Sequence, residues 1–93
     1  MDRRHDTAIL LARAGGFVIE AEDGTVGLVE TPLFPPDETE PDFLVLRVGR
    51  LHPRRPIVSA ALVEAVDPNA KVVYVRGRRE DIRRLPEHLP LAI

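Results

Sequence analysis

The sequence predicts one small, mainly β domain, and three observations carry that expectation. β-Branched, aliphatic and aromatic residues gather in short runs at residues 17–20, 25–30, 43–48, 57–58, 63–67 and 71–75. Turn-forming groups, above all Asp23-Gly24 and Asp67-Pro68-Asn69, separate paired runs at hairpin spacing. The length of 93 residues suits one hydrophobic core and is too short for two.

The first 16 residues stand apart from this β texture. Asp6 precedes a small apolar run at residues 7–14, and Gly15-Gly16 follows it. Asp as an N-cap and Gly after the last turn punctuate a short helix. So brief a helix is marginal in isolation and forms only if Ile9, Leu10 or Leu11 docks on an apolar surface. An extra strand is the competing assignment.

Phe17-Val18-Ile19-Glu20 opens the first hairpin, whose Asp23-Gly24 turn permits positive φ values. Gly27 interrupts the returning strand at 25–30, where the usual reasons are a bulge, a sharp bend or close backbone approach. Residues 31–42, TPLFPPDETEPD, hold four of the nine prolines. Because each proline lacks a ladder N–H, this stretch is expected to be an acidic loop. Residues 43–48 resume extended structure, with Leu44, Leu46 and Val48 on one face and Phe43, Val45 and Arg47 on the other. Arg47 marks the second face as partly wet.

A basic loop at 49–56 leads to a short strand at 57–58 and a tight turn of small residues at 59–62. Residues 63–67 and 71–75 then form a second hairpin, in which Pro68 fixes φ and Asn69 tolerates the bend. Residues 80–85 read as one or two helical turns, with acids early and Arg late as the helix dipole favours. Pro86 ends that helix, and an apolar tail follows that must pack on the body or cover a partner.

Composition narrows the function classes. Apolar residues make up 44% of the chain, a fraction that fits a folded domain. The absence of Cys removes disulfides, thiolate metal sites and a cysteine nucleophile. No apolar run reaches the roughly 18 residues that span a bilayer, and no secretory leader pattern is present. A soluble, cytoplasmic protein with no membrane partner is expected.

The net charge of −2 conceals an imbalance that gives a dipolar surface if the charges stay segregated and cross-fold ion pairs if they do not. Residues 1–46 carry about −7 and residues 47–93 about +5. Twelve of the thirteen basic residues are Arg, with Lys71 the exception, while Ala, Val and Pro are also plentiful. That pattern fits genome base composition, so Arg abundance alone says nothing about nucleic acid.

Catalytic and metal-binding patterns are missing from the sequence. Ser59 is the only serine and lacks a nucleophile elbow. His5, His52 and His88 are too widely spaced for a paired zinc motif. Asp37, Glu38, Glu40 and Asp42 lack the glycine and the terminal Glu of a calcium loop. Neither Gly15-Gly16 nor the Gly24 to Gly27 stretch matches a phosphate-binding loop. No enzyme activity, cofactor or metal is expected. The candidate partner-binding residues are two basic clusters, Arg50, His52, Arg54 and Arg55, and Arg76, Arg78, Arg79, Arg83 and Arg84. Together they can neutralise several phosphates. The four aromatics, Phe17, Phe34, Phe43 and Tyr74, read as mainly structural and make a poor base-stacking platform.

The order of these motifs resembles the PRC-barrel family. A strand ending in Glu22-Asp23-Gly24, then Val26-Gly27-Leu28-Val29-Glu30, then an acidic loop ending in Asp42, is similar to that family's opening hairpin and loop. Residues 57–66, with 72–75 followed by Arg79, Ile82, Leu85 and Pro86, resemble its later strands and closing helix. Ser59 departs from the pattern, standing where the family commonly has Pro. The resemblance implies a small, bent antiparallel β-barrel of about six strands with a short C-terminal helix, spanning residues 16–86. Residues 1–15 are then an N-terminal extension and 87–93 a C-terminal tail.

PRC-barrel domains serve in binding and assembly and share no catalytic residues. The expected function is therefore a non-catalytic protein-interaction or assembly module, acting on an unidentified protein partner. The alternative is a ribosome- or RNA-associated accessory factor that uses the Arg clusters. A core this small gains from extra burial, so a homodimer through an exposed strand edge or the apolar tail is also expected.

Overall fold

A link of three residues, Ala60–Leu62, dictates how the sheet is shaped. The computed structural model describes residues 3–89. In chain order its elements are α1 (Arg3–Leu11), β1 (Val18–Ala21), β2 (Gly24–Leu33), β3 (Phe43–Arg47), β4 (Ile57–Ser59), the 3-10 turn Ala60–Leu62, β5 (Val63–Asp67), β6 (Val72–Val75) and α2 (Arg79–Arg83). The six strands form one sheet in the order β4-β3-β2-β1-β6-β5. β4 and β5 are thus opposite edges, yet only the 3-10 turn joins them. Its four residue steps reach at most about 14 Å, whereas five strand spacings across a flat sheet amount to about 24 Å. The sheet has to roll until its two edges approach.

The roll stops short of the expected antiparallel barrel, in two respects. First, β1 pairs with β6 in parallel, through Val18 with Val72 and Glu20 with Tyr74. β6 arrives beside β1 from the far edge, so its direction is set by its own hairpin with β5. Second, β4 and β5 share no ladder. The chain between them is drawn into the 3-10 turn, whose Leu62 carbonyl accepts from the Arg76 N–H instead (2.8 Å). The result is a mainly β fold, a rolled mixed sheet with a short helix near each end.

Bulges supply the curvature. Register shifts occur at Ile19/Glu20 opposite Val26, at Val29/Thr31 in β2 and at Val63/Ala65 in β5. Each leaves an extra residue that bends its strand. Gly27, beside the first bulge, shows both of the features its position suggested. A Cβ there would lie 2.3 Å from the Arg47 carbonyl oxygen, so β2 and β3 touch backbone to backbone. In the β1–β2 turn the positive φ falls on Gly24 alone, at 135°.

Three local expectations need correction. The first helix starts at Arg3 and contains Asp6, so Asp6 is no N-cap; Arg is a good helix former and lets the helix run one turn upstream. β2 continues through Thr31 and Pro32 to Leu33, which the loop assignment had excluded. Beyond Val29 the only strand beside β2 is β3, so Pro32 sits on an edge, where a missing N–H breaks no ladder. In the second hairpin Lys71 takes the left-handed conformation, with φ of 58°. The Asp67 carboxylate already accepts from the N–H groups of Asn69 and Ala70, both at 3.0 Å, which passes the reversal on to Lys71.

The core is aliphatic. Ile19, Val26, Val29, Leu44, Leu46, Val58, Val73 and Val75 line the inside of the roll, and Leu11, Ala14 and Ile82 close on it from the helical segments. Among the three candidates in the first helix, Leu11 is the one that docks, while Ile9 is exposed. Leu44 and Leu46 face inward and Arg47 outward, as the alternation required. Among the described residues no helix is long and apolar enough to cross a membrane.

Because the Gly27 contact is between two backbones, neither side can give way. Gly27→Ala is expected to cost about 2 kcal/mol or more in urea denaturation. Gly15→Ala, whose Cβ would meet nothing nearer than 3.8 Å, is expected to stay within about 0.5 kcal/mol of the parent.

Candidate functional site

The two basic clusters are positioned mainly by internal pairing. Arg54 bridges its loop to the end of α2, donating to the Arg83 carbonyl at 2.5 Å and lying 3.6 Å from Glu87. Arg55 binds the Glu30 carboxylate through Nε at 2.9 and 3.1 Å. Glu30 is the extra residue of the second β2 bulge, which aims its side chain at this partner. The Arg55 N–H in turn donates to Glu87 at 2.6 Å. Arg76 donates to the Ala61 carbonyl at 2.6 Å and fastens the 3-10 turn.

At the start of α2, Arg78 offers no side-chain cap. The β1–β2 turn provides one instead: Asp23 accepts from the Arg79 N–H at 2.7 Å and pairs with the guanidiniums of Arg78 and Arg79, each at 3.5 Å. Glu22 accepts from the Gly77 N–H at 2.5 Å. Arg84 pairs with Glu80 one turn earlier, at 2.9 Å.

Six of the nine candidate residues, Arg54, Arg55, Arg76, Arg78, Arg79 and Arg84, are therefore held by partners within the chain. The side chains of Arg50, His52 and Arg83 have none among the described residues. Sequence reading singled out these Arg residues but did not pair them with Asp23, Glu30 and Glu87, since those contacts span 25 to 56 positions. Ser59, the lone serine, accepts from the Ala61 N–H at 3.1 Å and caps the 3-10 turn. Among the described residues no three His, Asp or Glu side chains gather as a metal site. His5 lies in α1 and His52 and His88 are exposed; the tail from residue 90 on lies outside the described residues.

Little in the residue order points to the outer face of the sheet. Arg47, Leu28, Val18 and Val72 stand opposite one another on β3, β2, β1 and β6 and make one continuous row. The next row sets Thr25, Glu20 and Tyr74 side by side, and the Thr25 hydroxyl donates to Glu20. Leu28 is 45% and Tyr74 43% exposed, and Phe34 is also exposed, so two of the four aromatics do not serve the core. Where the first row reaches the basic loop, Arg47 and Arg50 flank an open groove floored by Val18, Gly27 and Leu28. Neither guanidinium has a partner among the described residues. Leu51, at the loop tip beside Arg50, is 89% exposed. In the sequence Arg47 signals only a wet face. Strict alternation would put Leu28 on the same side as Val26, but the bulge at Val26 turns Leu28 outward beside Arg47, so no sequence signal pointed to the pair.

No family model matches the chain, and no curated protein matches it.

Two carboxyls in these pairs hold their protons less tightly than usual. The Arg79 N–H hydrogen bond, helped by the charges of Arg78 and Arg79, holds Asp23 below its ordinary value. The Arg55 N–H, with Arg54 beside it, does the same for Glu87. Depressed carboxyls stabilise the fold above the unfolded pKa of about 4, and that stabilisation is lost as pH falls through the lower folded values. Urea midpoints measured from pH 5 downward are expected to fall more steeply for the parent than for a variant carrying Asp23→Asn and Glu87→Gln.

Proposed function

We propose that this chain is a non-catalytic protein-interaction or assembly module of the PRC-barrel type, acting in the cytoplasm. The observation that carries this reading is the outer sheet face, where exposed Leu28 lies in one groove with Arg47 and Arg50, whose guanidiniums have no partner among the described residues, and exposed Leu51 follows Arg50 in the chain. Apolar anchors next to Arg are the composition from which binding hot spots are made. Ser59 supports the family likeness, because its φ of −68° suits the proline common at that position in the family.

An RNA-associated role is the second reading, and it rests on Arg50, His52 and Arg83, the cluster members whose side chains have no partner among the described residues. With so few free charges its salt dependence would be shallow, a slope of log K against log salt near about −2 on single strands. The engagement of the other six Arg inside the chain, and an aliphatic floor to the groove, favour a protein partner.

Site-specific photocross-linking in the source cells tests the choice. A cross-linker at Leu28 or Leu51 is expected to give a discrete protein adduct, whereas one at Ala70, on the exposed β5–β6 turn, gives none. Adducts to RNA alone, or equal labelling from all three positions, would reverse the assignment.

A further inference from the structure

We infer that the groove between Arg47 and Arg50 receives the acidic β2–β3 loop of a second copy of this chain. The inference rests on the interaction-module reading and names the occupant of that face. Both halves of the contact are present in one molecule. The groove offers two guanidiniums with no partner among the described residues, with exposed Leu28 between them and exposed Leu51 next to Arg50 in the chain. The loop offers the complement: exposed Phe34, then Asp37, Glu38 and Asp42, whose carboxylates have no partner among the described residues.

These complements do not meet within one chain. Asp42 directly precedes β3 and Arg47 ends it, so the strand's length of about 13 Å holds them apart. The loop is also tied at its own end, by the Asp42 N–H to the Leu33 carbonyl (3.0 Å) and the Ala60 N–H to the Asp42 carbonyl (2.8 Å). Opposite charge fixed at opposite ends of β3 is satisfied in trans. A two-fold axis forms the contact twice and closes the assembly, which leaves no open end to propagate. RNA is the poorer occupant because the groove lining contains no aromatic ring on which a base could stack.

The association is electrostatic at its rim and therefore sensitive to salt. In sedimentation velocity, the chain at about 100 μM is expected to run as a dimer in about 50 mM NaCl and as a monomer near 500 mM. Arg47→Glu with Arg50→Glu puts acid in both groove and loop. Asp37→Asn, Glu38→Lys and Asp42→Lys together leave Glu40 as the loop's one acid against two Lys, so that groove and loop are both basic, and Asn keeps the left-handed backbone of position 37 accessible. Each multiple variant is expected to run as a monomer. Their equimolar mixture restores the dimer, because each groove then faces a loop of opposite charge. All five positions are exposed, and unchanged circular-dichroism melting shows that the fold is retained. A monomeric parent chain, a dimer that survives either charge reversal, a mixture that stays monomeric, or displacement of the dimer by a short oligouridylate overturns the inference. A monomer whose Leu28 cross-linker still captures one discrete protein rejects self-docking alone. Loss of that adduct as well rejects the module reading with it.

Discussion

The shortness of the link between β4 and β5 is the constraint on which the rest of this structure depends. Three residues join the two edges of a six-stranded sheet, so curvature is imposed by chain length before any side chain is considered. Once the sheet must roll, strands need places to bend, and the three bulges are those places. Tight curvature also presses neighbouring backbones together, and at the closest approach only a residue without a Cβ fits. Gly27 is there for that reason. The aliphatic core follows from the same geometry, since a narrow roll is filled by Val, Leu and Ile and leaves Phe34 and Tyr74 outside.

Charge organises the exterior around this roll. The acidic first half and basic second half meet across the fold, at Asp23 with Arg78 and Arg79 and at Glu30 with Arg55. These pairs are exposed, and each contributes little stability alone. Their effect is positional, because they join the β1–β2 turn to α2 and the basic loop to the sheet. They also turn most of the Arg-rich second half into internal fastening. The surface left for recognition is the stripe where an apolar row ends at Arg47 and Arg50, whose guanidiniums have no partner among the described residues.

Much of the fold was legible in the sequence because it is local. Alternation placed Leu44 and Leu46 inside and Arg47 outside, Asp23-Gly24 marked one turn, and the Gly27 interruption identified the pinch. What sequence reading missed was set by non-local geometry or by competition within a turn. The parallel pairing of β1 with β6 depends on where a distant hairpin arrives, and Pro32 is tolerated in β2 because β1 begins at Val18, opposite Leu28, and does not reach it. Lys71 takes the left-handed conformation because Asp67 has already claimed the two preceding N–H groups. The site was less legible for the same reason. A cluster of Arg in sequence does not reveal which carboxylates, dozens of residues away, will occupy it.

The five-residue helix α2 shows what such fastening does to a small element. Its first turn is capped by a carboxylate from the β1–β2 turn, and its last carbonyl is gripped by Arg54 from the basic loop. A helix this short has no stability of its own. It behaves as a strut whose two sockets belong to other parts of the molecule, so it cannot fray without loosening a hairpin at one end and a loop at the other. Local melting is thereby suppressed, and the terminal segment shares the cooperativity of the sheet it braces.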